Sequence, residues 1–235
     1  MVKKKPLQRQ ASPVPEDSNQ LNAEAAHLVE ALRQLMLKLY ADHLSDDGKT
    51  VDYKAMRNSE AFESYCELAV LLQQVDLKSL TKEEKLAFFI NVYNALVIHG
   101  QIQMGTPKNV WQRYKVSLSE VQPLIHFALN CGGRGCPPIK TYTPKDIDQQ
   151  LRAAGEAFLA GKDGCFVNIE KKEIHLNQIF KWYKTDFGDT DEKVVQWVLD
   201  HMTESLKKKQ MKEVLESSNC KIIFLPYDWS SNSLN

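Results

Sequence analysis

The sequence predicts a helix-rich α+β fold, built as a single domain with a few short, mainly antiparallel strands. Three observations carry that expectation. Apolar residues recur at helical spacing over several long stretches, while only brief segments alternate with the period of a strand. The chain has 235 residues, 43% of them hydrophobic, which suits one large domain with a sizeable core. Proline, serine and lysine concentrate at the start, so residues 1–20 are expected as a disordered tail, 21–230 as the domain and 231–235 as a short tail.

Leu21, Ala25, Leu28, Leu32, Leu35 and Leu39 alternate at spacings of four and three, the apolar stripe of an amphipathic helix. Ser45-Asp46-Asp47-Gly48 marks a turn. Residues 59–75 read as helix again. Thr81 and Glu84 then open a capping box for a helix over 82–103. That helix is apolar almost all round, so its 86–99 portion is expected at the centre of the molecule. Asn91, Asn94 and His99 are therefore expected as buried polar groups in need of partners, the two asparagines on one face.

The richest chemistry falls at 125–138, Ile-His-Phe-Ala-Leu-Asn-Cys-Gly-Gly-Arg-Gly-Cys-Pro-Pro. A short apolar strand carrying His126 is expected to run into a loop holding Cys131, Gly132, Gly133, Arg134, Gly135 and Cys136. Glycines let backbone approach a ligand, and a cluster of N–H groups beside an arginine favours a thiolate. Thr143 and Pro144 predict the cap and first position of a helix reaching Gly161. Residues 165–169 and 173–176 read as two strands around a Glu170-Lys171-Lys172 turn. Helices are expected over 177–184 and 191–216, and 221–225 is a short strand before Tyr227-Asp228-Trp229-Ser230.

Thirty basic residues against 30 acidic ones give no net pull toward nucleic acid. No apolar run approaches the ~20 residues of a membrane span, and residues 1–20 lack a signal-peptide core. Five scattered cysteines do not form a secreted disulfide framework, so the chain reads as intracellular and cytoplasmic, with reduced thiols. Neither cofactor nor metal is expected, while protein partners fit the sequence.

Three chemical readings of the loop stay open. In the first, Cys136 is a nucleophile with His126 or His99 as base, Asn91 or Asn94 as orienting amide, and the amides of Gly132, Gly133, Arg134 and Gly135 as oxyanion donors. Cys131, directly after the strand, is then the buried thiol. A second reading joins His126, His99, Cys131 and Cys136 as zinc ligands, but Cys-x₄-Cys is wider than the usual knuckle spacing and no second cysteine pair exists. A Cys131–Cys136 redox pair lacks the Cys-x-x-Cys geometry. Against all of these stands a scaffold, in which Trp111, Trp182, Tyr183, Tyr227, Asp228 and Trp229 face a partner.

Four motifs occur in order: Phe89-Ile90-Asn91-Val92-Tyr93-Asn94-Ala95-Leu96, then 125–138, then Ile179-Phe180-Lys181-Trp182-Tyr183-Lys184-Thr185-Asp186-Phe187, then Tyr227-Asp228-Trp229-Ser230. In this the chain resembles domain-of-unknown-function family 547, from about Leu21 to Ser230. The resemblance implies no assigned activity. Some longer relatives carry a glutaredoxin-like module before this domain, which suggests a thiol-redox accessory role by association only. The family normally has several tens of residues, with Ile-Glu-(His/Asn) and then Leu-Arg, between the equivalents of Tyr114 and Val116. This chain resembles a shortened version, as a splice variant would be.

Overall fold

The computed structural model describes residues 18–105 and 122–234. Most of the expected tail and the junction around Tyr114, Lys115 and Val116 lie outside the described residues, as does Trp111.

Helix α1 (Ser18–His43) starts three residues before the boundary drawn from sequence and buries Leu32, Met36, Leu39 and Tyr40, one helical stripe. Asp52 caps α2 (Tyr53–Arg57) through the amide of Ala55, and Ser59 caps α3 (Glu60–Val70) through that of Phe62. A 3-10 turn over Leu71–Gln74 ends this unit. Helix α4 (Lys82–Met104) begins with the expected reciprocal box. The Glu84 amide donates to Thr81 Oγ1 at 3.2 Å and the Thr81 amide to Glu84 Oε2 at 2.8 Å. Such a cap contributes about 1 kcal/mol.

Helix α4 is the hub. Its Ala95, Ile98 and Ile102 pack with α1 to α3, its Leu86, Ala87 and Ile90 with Ile125, Tyr142 and Leu151, and its Phe88 with Leu80. The apolar surround is incomplete, since Leu96 is exposed. A separate cluster centred on Phe127, Phe180, Phe187 and Val194 fills the other side of the fold.

Three elements depart from the sequence reading. His126 sits on a 3-10 helix, Pro123–Phe127, rather than on a strand. Pro144 and a left-handed Asp146 (φ 57°) delay helix α5 (Ile147–Ala160) by three residues. Gln150 closes the intervening turn, accepting from the Thr143 amide and donating to Thr143 and Lys145 carbonyls. The expected helix over 191–216 is broken into α8 (Asp191–His201) and α9 (Leu206–Glu216), because Met202 is extended and Ser205 caps a new helix through the Lys208 amide.

Strands β1 (Cys165–Asn168) and β2 (Glu173–Leu176) form the expected antiparallel hairpin. Between β2 and the last strand run the short α6 (Ile179–Trp182) and α7 (Lys184–Phe187), then α8 and α9. So long a connection brings β3 (Lys221–Phe224) back parallel to β2, with Ile174 opposite Ile222, and the small sheet is mixed. The Lys207 ammonium fastens α9 to the hairpin, donating to the carbonyls of Leu159, Ala160, Gly161 and Cys165 at 2.8–3.0 Å.

Residues 231–234, expected as a tail, instead form a strap. Ser231 pairs with Gly133 and Ser233 with Val51, and between them Asn232 is fully buried. No helix among the described residues is long and apolar enough to cross a membrane.

Candidate functional site

The thiol loop is held from two sides. On one side is the inner face of α4. Asn91 Nδ2 donates to the Tyr142 carbonyl at 2.7 Å while its Oδ1 accepts from the Tyr142 amide at 2.9 Å. Asn94 does the same one helical turn later, donating to Ala128 O and accepting from Asn130 N, both at 2.9 Å. Asn130 passes the brace onward, donating to Pro137 O at 2.7 Å and accepting from Gly132 N at 2.8 Å. The two helix asparagines are thus backbone clamps on the loop's flanks rather than orienters of an imidazole.

On the other side is the strap. The amides of Arg134 and Gly135 donate to Ser230 O and Asp228 O, and the Asn232 amide donates to Gly132 O. The chains approach so closely that a Cβ on Gly135 would lie 3.1 Å from Asp228 backbone. Gly132 adopts φ +81°, where a side chain is strained, and its missing Cβ makes room for the Gln101 amide. The expected oxyanion donors at Gly132, Arg134 and Gly135 are therefore already hydrogen-bonded within the protein. Asp228 keeps its carboxylate for Ser230, whose hydroxyl and amide hold its pKa below the usual carboxylate range, helped by Arg134.

Within this frame the two sulfurs meet. Cys131 Sγ and Cys136 Sγ are 2.8 Å apart, both reduced. The Cys131 amide donates to Cys136 Sγ at 3.1 Å, and the Tyr227 hydroxyl reaches Cys136 Sγ at 3.0 Å and Cys131 Sγ at 3.8 Å. Their exposures are the reverse of the sequence expectation. Cys136 is 4% exposed, and Cys131 is the half-buried one. Burial pushes the Cys136 thiol well above its ordinary range and Cys131 adds to this, against the opposing pull of Tyr227 and the Cys131 amide. Burial likewise raises the Tyr227 phenol, followed by the two thiols.

His126 belongs to an adjoining group. Its Nε2 pairs with Asp186 Oδ2 at 2.7 Å, and its ring stacks on Tyr183 with centroids 3.9 Å apart. Burial lowers its basicity more than Asp186 restores it, so the imidazole is neutral near pH 7. The Tyr183 phenol is raised by burial first, then by Cys131 and Asp186, so this one ring feels both the thiol and the carboxylate. His99 lies elsewhere, against Phe62 and Tyr65 of α3 at centroid distances of 5.7 and 5.8 Å. Among the described residues no three His, Cys, Asp or Glu side chains gather as metal ligands, and the four suggested for zinc are not assembled.

Sequence reasoning assigned no role to Asp186, Gln101 or Asn130. Gln101 had a legible signal, standing seven positions after Asn94 on the polar stripe of an otherwise apolar helix. It is buried, and its Nε2 has no partner among the described residues, as is also true of Asn232 Nδ2. Asp186 sits in a motif whose meaning depends on the tertiary approach of α7 to His126. Beside Tyr227 stand Trp182 and Trp229, 43% and 37% exposed, with ring centroids 4.6–5.1 Å apart.

Fold and site together define a helix-rich α+β protein whose central helix clamps a two-cysteine loop under a C-terminal strap. The sequence profile described as protein of unknown function, DUF547, matches residues 77–122 and 112–159, so this part of the chain is similar to that family. The match takes in α4, the thiol loop and most of α5, while Asp186 and Tyr227 lie beyond it. No curated protein and no solved structure matches significantly.

Proposed function

We propose that this protein is a cysteine-dependent acyl-transfer or hydrolytic enzyme in which Cys131, rather than Cys136, is the nucleophile. The observation that carries the reading is the His126–Asp186 pair at 2.7 Å, joined to the Cys131 side by the stacked Tyr183 ring. A carboxylate on one imidazole nitrogen fixes the tautomer and orientation of a general base. A neutral histidine is the form that accepts a proton. Partial exposure favours Cys131, since Cys136 is enclosed and its thiol is held protonated.

In the proposed reaction Cys131 Sγ attacks an acyl carbonyl as His126 Nδ1 takes the thiol proton. Gln101 Nε2, buried beside Gly132, supplies an oxyanion donor in place of the engaged Gly132, Arg134 and Gly135 amides. The tetrahedral adduct collapses to a thioester, and the leaving group departs with the proton from His126. Water or an acceptor nucleophile then releases the acyl group. The Trp182, Tyr227 and Trp229 rings offer an apolar platform for the substrate. Chemistry through a reduced thiol also fits the cytoplasmic setting expected from sequence.

The test is labelling with a cysteine-directed probe, an acyloxymethyl ketone, whose carboxylate leaves as the sulfur–methylene bond forms, followed by peptide mapping. Cys131 is expected to carry the adduct. Cys131→Ala should abolish it, and His126→Phe should slow it by about 10²–10⁴-fold. Equal, slow labelling of all five cysteines would retire the enzyme reading and leave the aromatic surface as an interaction module.

A further inference from the structure

We infer that Cys131 and Cys136 form a reversible intramolecular disulfide, made by exchange with a low-molecular-weight disulfide. The inference goes beyond acyl transfer and does not depend on it. The sulfurs are 2.8 Å apart and a disulfide bond is about 2.0 Å, so closing the bond takes a movement of under about 1 Å. The loop is shaped for this approach. The Cys136 amide donates to Gly133 O while the Cys131 amide donates to Cys136 Sγ, folding the five-position span back on itself. No other pair of cysteine sulfurs is in contact among the described residues.

Unequal burial fixes the order of events. Cys136, 4% exposed, cannot meet an external disulfide, whereas the half-buried Cys131 can. Cys131 Sγ, as thiolate, attacks one sulfur of the small disulfide. The new mixed disulfide forms as the old S–S bond breaks, and the first thiol leaves with the proton that Cys131 lost. Cys136 then attacks Cys131 Sγ, forming the internal bond and expelling the second thiol, which takes the Cys136 proton. Two protein thiols are oxidised and one external disulfide is reduced to two thiols. The Tyr227 hydroxyl, 3.0 Å from Cys136 Sγ and 3.8 Å from Cys131 Sγ, is placed to donate to either sulfur while it bears charge. Once closed, the bond removes the Cys131 nucleophile from any acyl reaction.

The experiment uses the full chain, reduced and then incubated with oxidised glutathione. Free thiols are counted and disulfides mapped by mass spectrometry. Wild type should lose two of its five thiols, gain one Cys131–Cys136 link without retained glutathione, and recover fully in dithiothreitol. Cys136→Ser should stop at a glutathione adduct on Cys131, and Cys131→Ser should show neither product. Because a loop variant can fail to fold, Cys220→Ser serves as a second variant and should leave the wild-type result intact. Persistence of all five thiols, a stable glutathione adduct in wild type, or a link between other cysteines would overturn the inference. A mapped disulfide without probe labelling would instead defeat only the enzyme reading, and labelling without a disulfide only this one.

Discussion

Replacing Asn94 by alanine is expected to be among the most destabilising single changes in the protein. Asn94 is 1% exposed and holds two backbone groups that are themselves enclosed: the Ala128 carbonyl and the Asn130 amide, each at 2.9 Å. Ala128 is 0% and Asn130 3% exposed, so water cannot take over either bond without the loop opening. Each buried group left unsatisfied costs about 1–3 kcal/mol, which puts Asn94→Ala at about 2–6 kcal/mol. With a urea m-value of about 2 kcal/mol/M, the midpoint should fall by at least about 1 M. Asn58, exposed and with its side chain donating to Lys54 O, is the control, and its alanine variant should stay within about 0.5 kcal/mol. A second readout follows from the relay through Asn130 to Pro137. Loosening it should raise the alkylation rate of Cys136 under native conditions. Equal midpoints for Asn94→Ala and Asn58→Ala would refute the clamp argument.

Three further outcomes follow from the same geometry. Gly132→Ala combines positive φ with a Cβ driven into Gln101, whereas Gly105→Ala meets a positive φ of 73° in open space. Urea titration should therefore show about 1 kcal/mol for Gly105→Ala and distinctly more for Gly132→Ala. Lys207→Met removes the ammonium from four carbonyls at the end of α5 and the start of β1, and thermal unfolding should report a loss of about 2–3 kcal/mol. Burial depresses the His126 pKa below its ordinary 6.5, so the unfolded chain takes up that proton first. Its contribution to stability is intact above about pH 6.5 and is lost as pH falls through the depressed value, and His126→Phe should flatten that part of the pH–stability curve.

How much the sequence revealed depended on whether the signal was local. Helix α4 was legible to within a residue because its capping box and apolar run are adjacent in sequence. The β1–β2 hairpin was legible for the same reason. Burial of Asn91 and Asn94 was also readable, but their partners were not, since Tyr142, Ala128 and Asn130 lie 34–51 positions away. The start of α5 was misjudged because Thr143-Pro144 carries a cap signature that the left-handed Asp146 overrides. The break at Ser205 was missed because a capping serine inside a polar stretch looks like ordinary helix surface. The sequence put both thiols on one loop, where their sulfurs do meet, but it inverted their burial. Nothing near Cys136 in sequence announces that Tyr227 and the strap close over it.

The strap also has a temporal consequence. Tyr227 is 91 positions downstream of Cys136, so the ribosome must add that many residues before the lid over the thiols exists. At a translation rate of 5–20 residues per second, about 5–20 s of synthesis separate Cys136 from the tyrosine that covers it. Until then Cys136 lacks its cover, and docking of the strap encloses that sulfur while leaving Cys131 partly exposed.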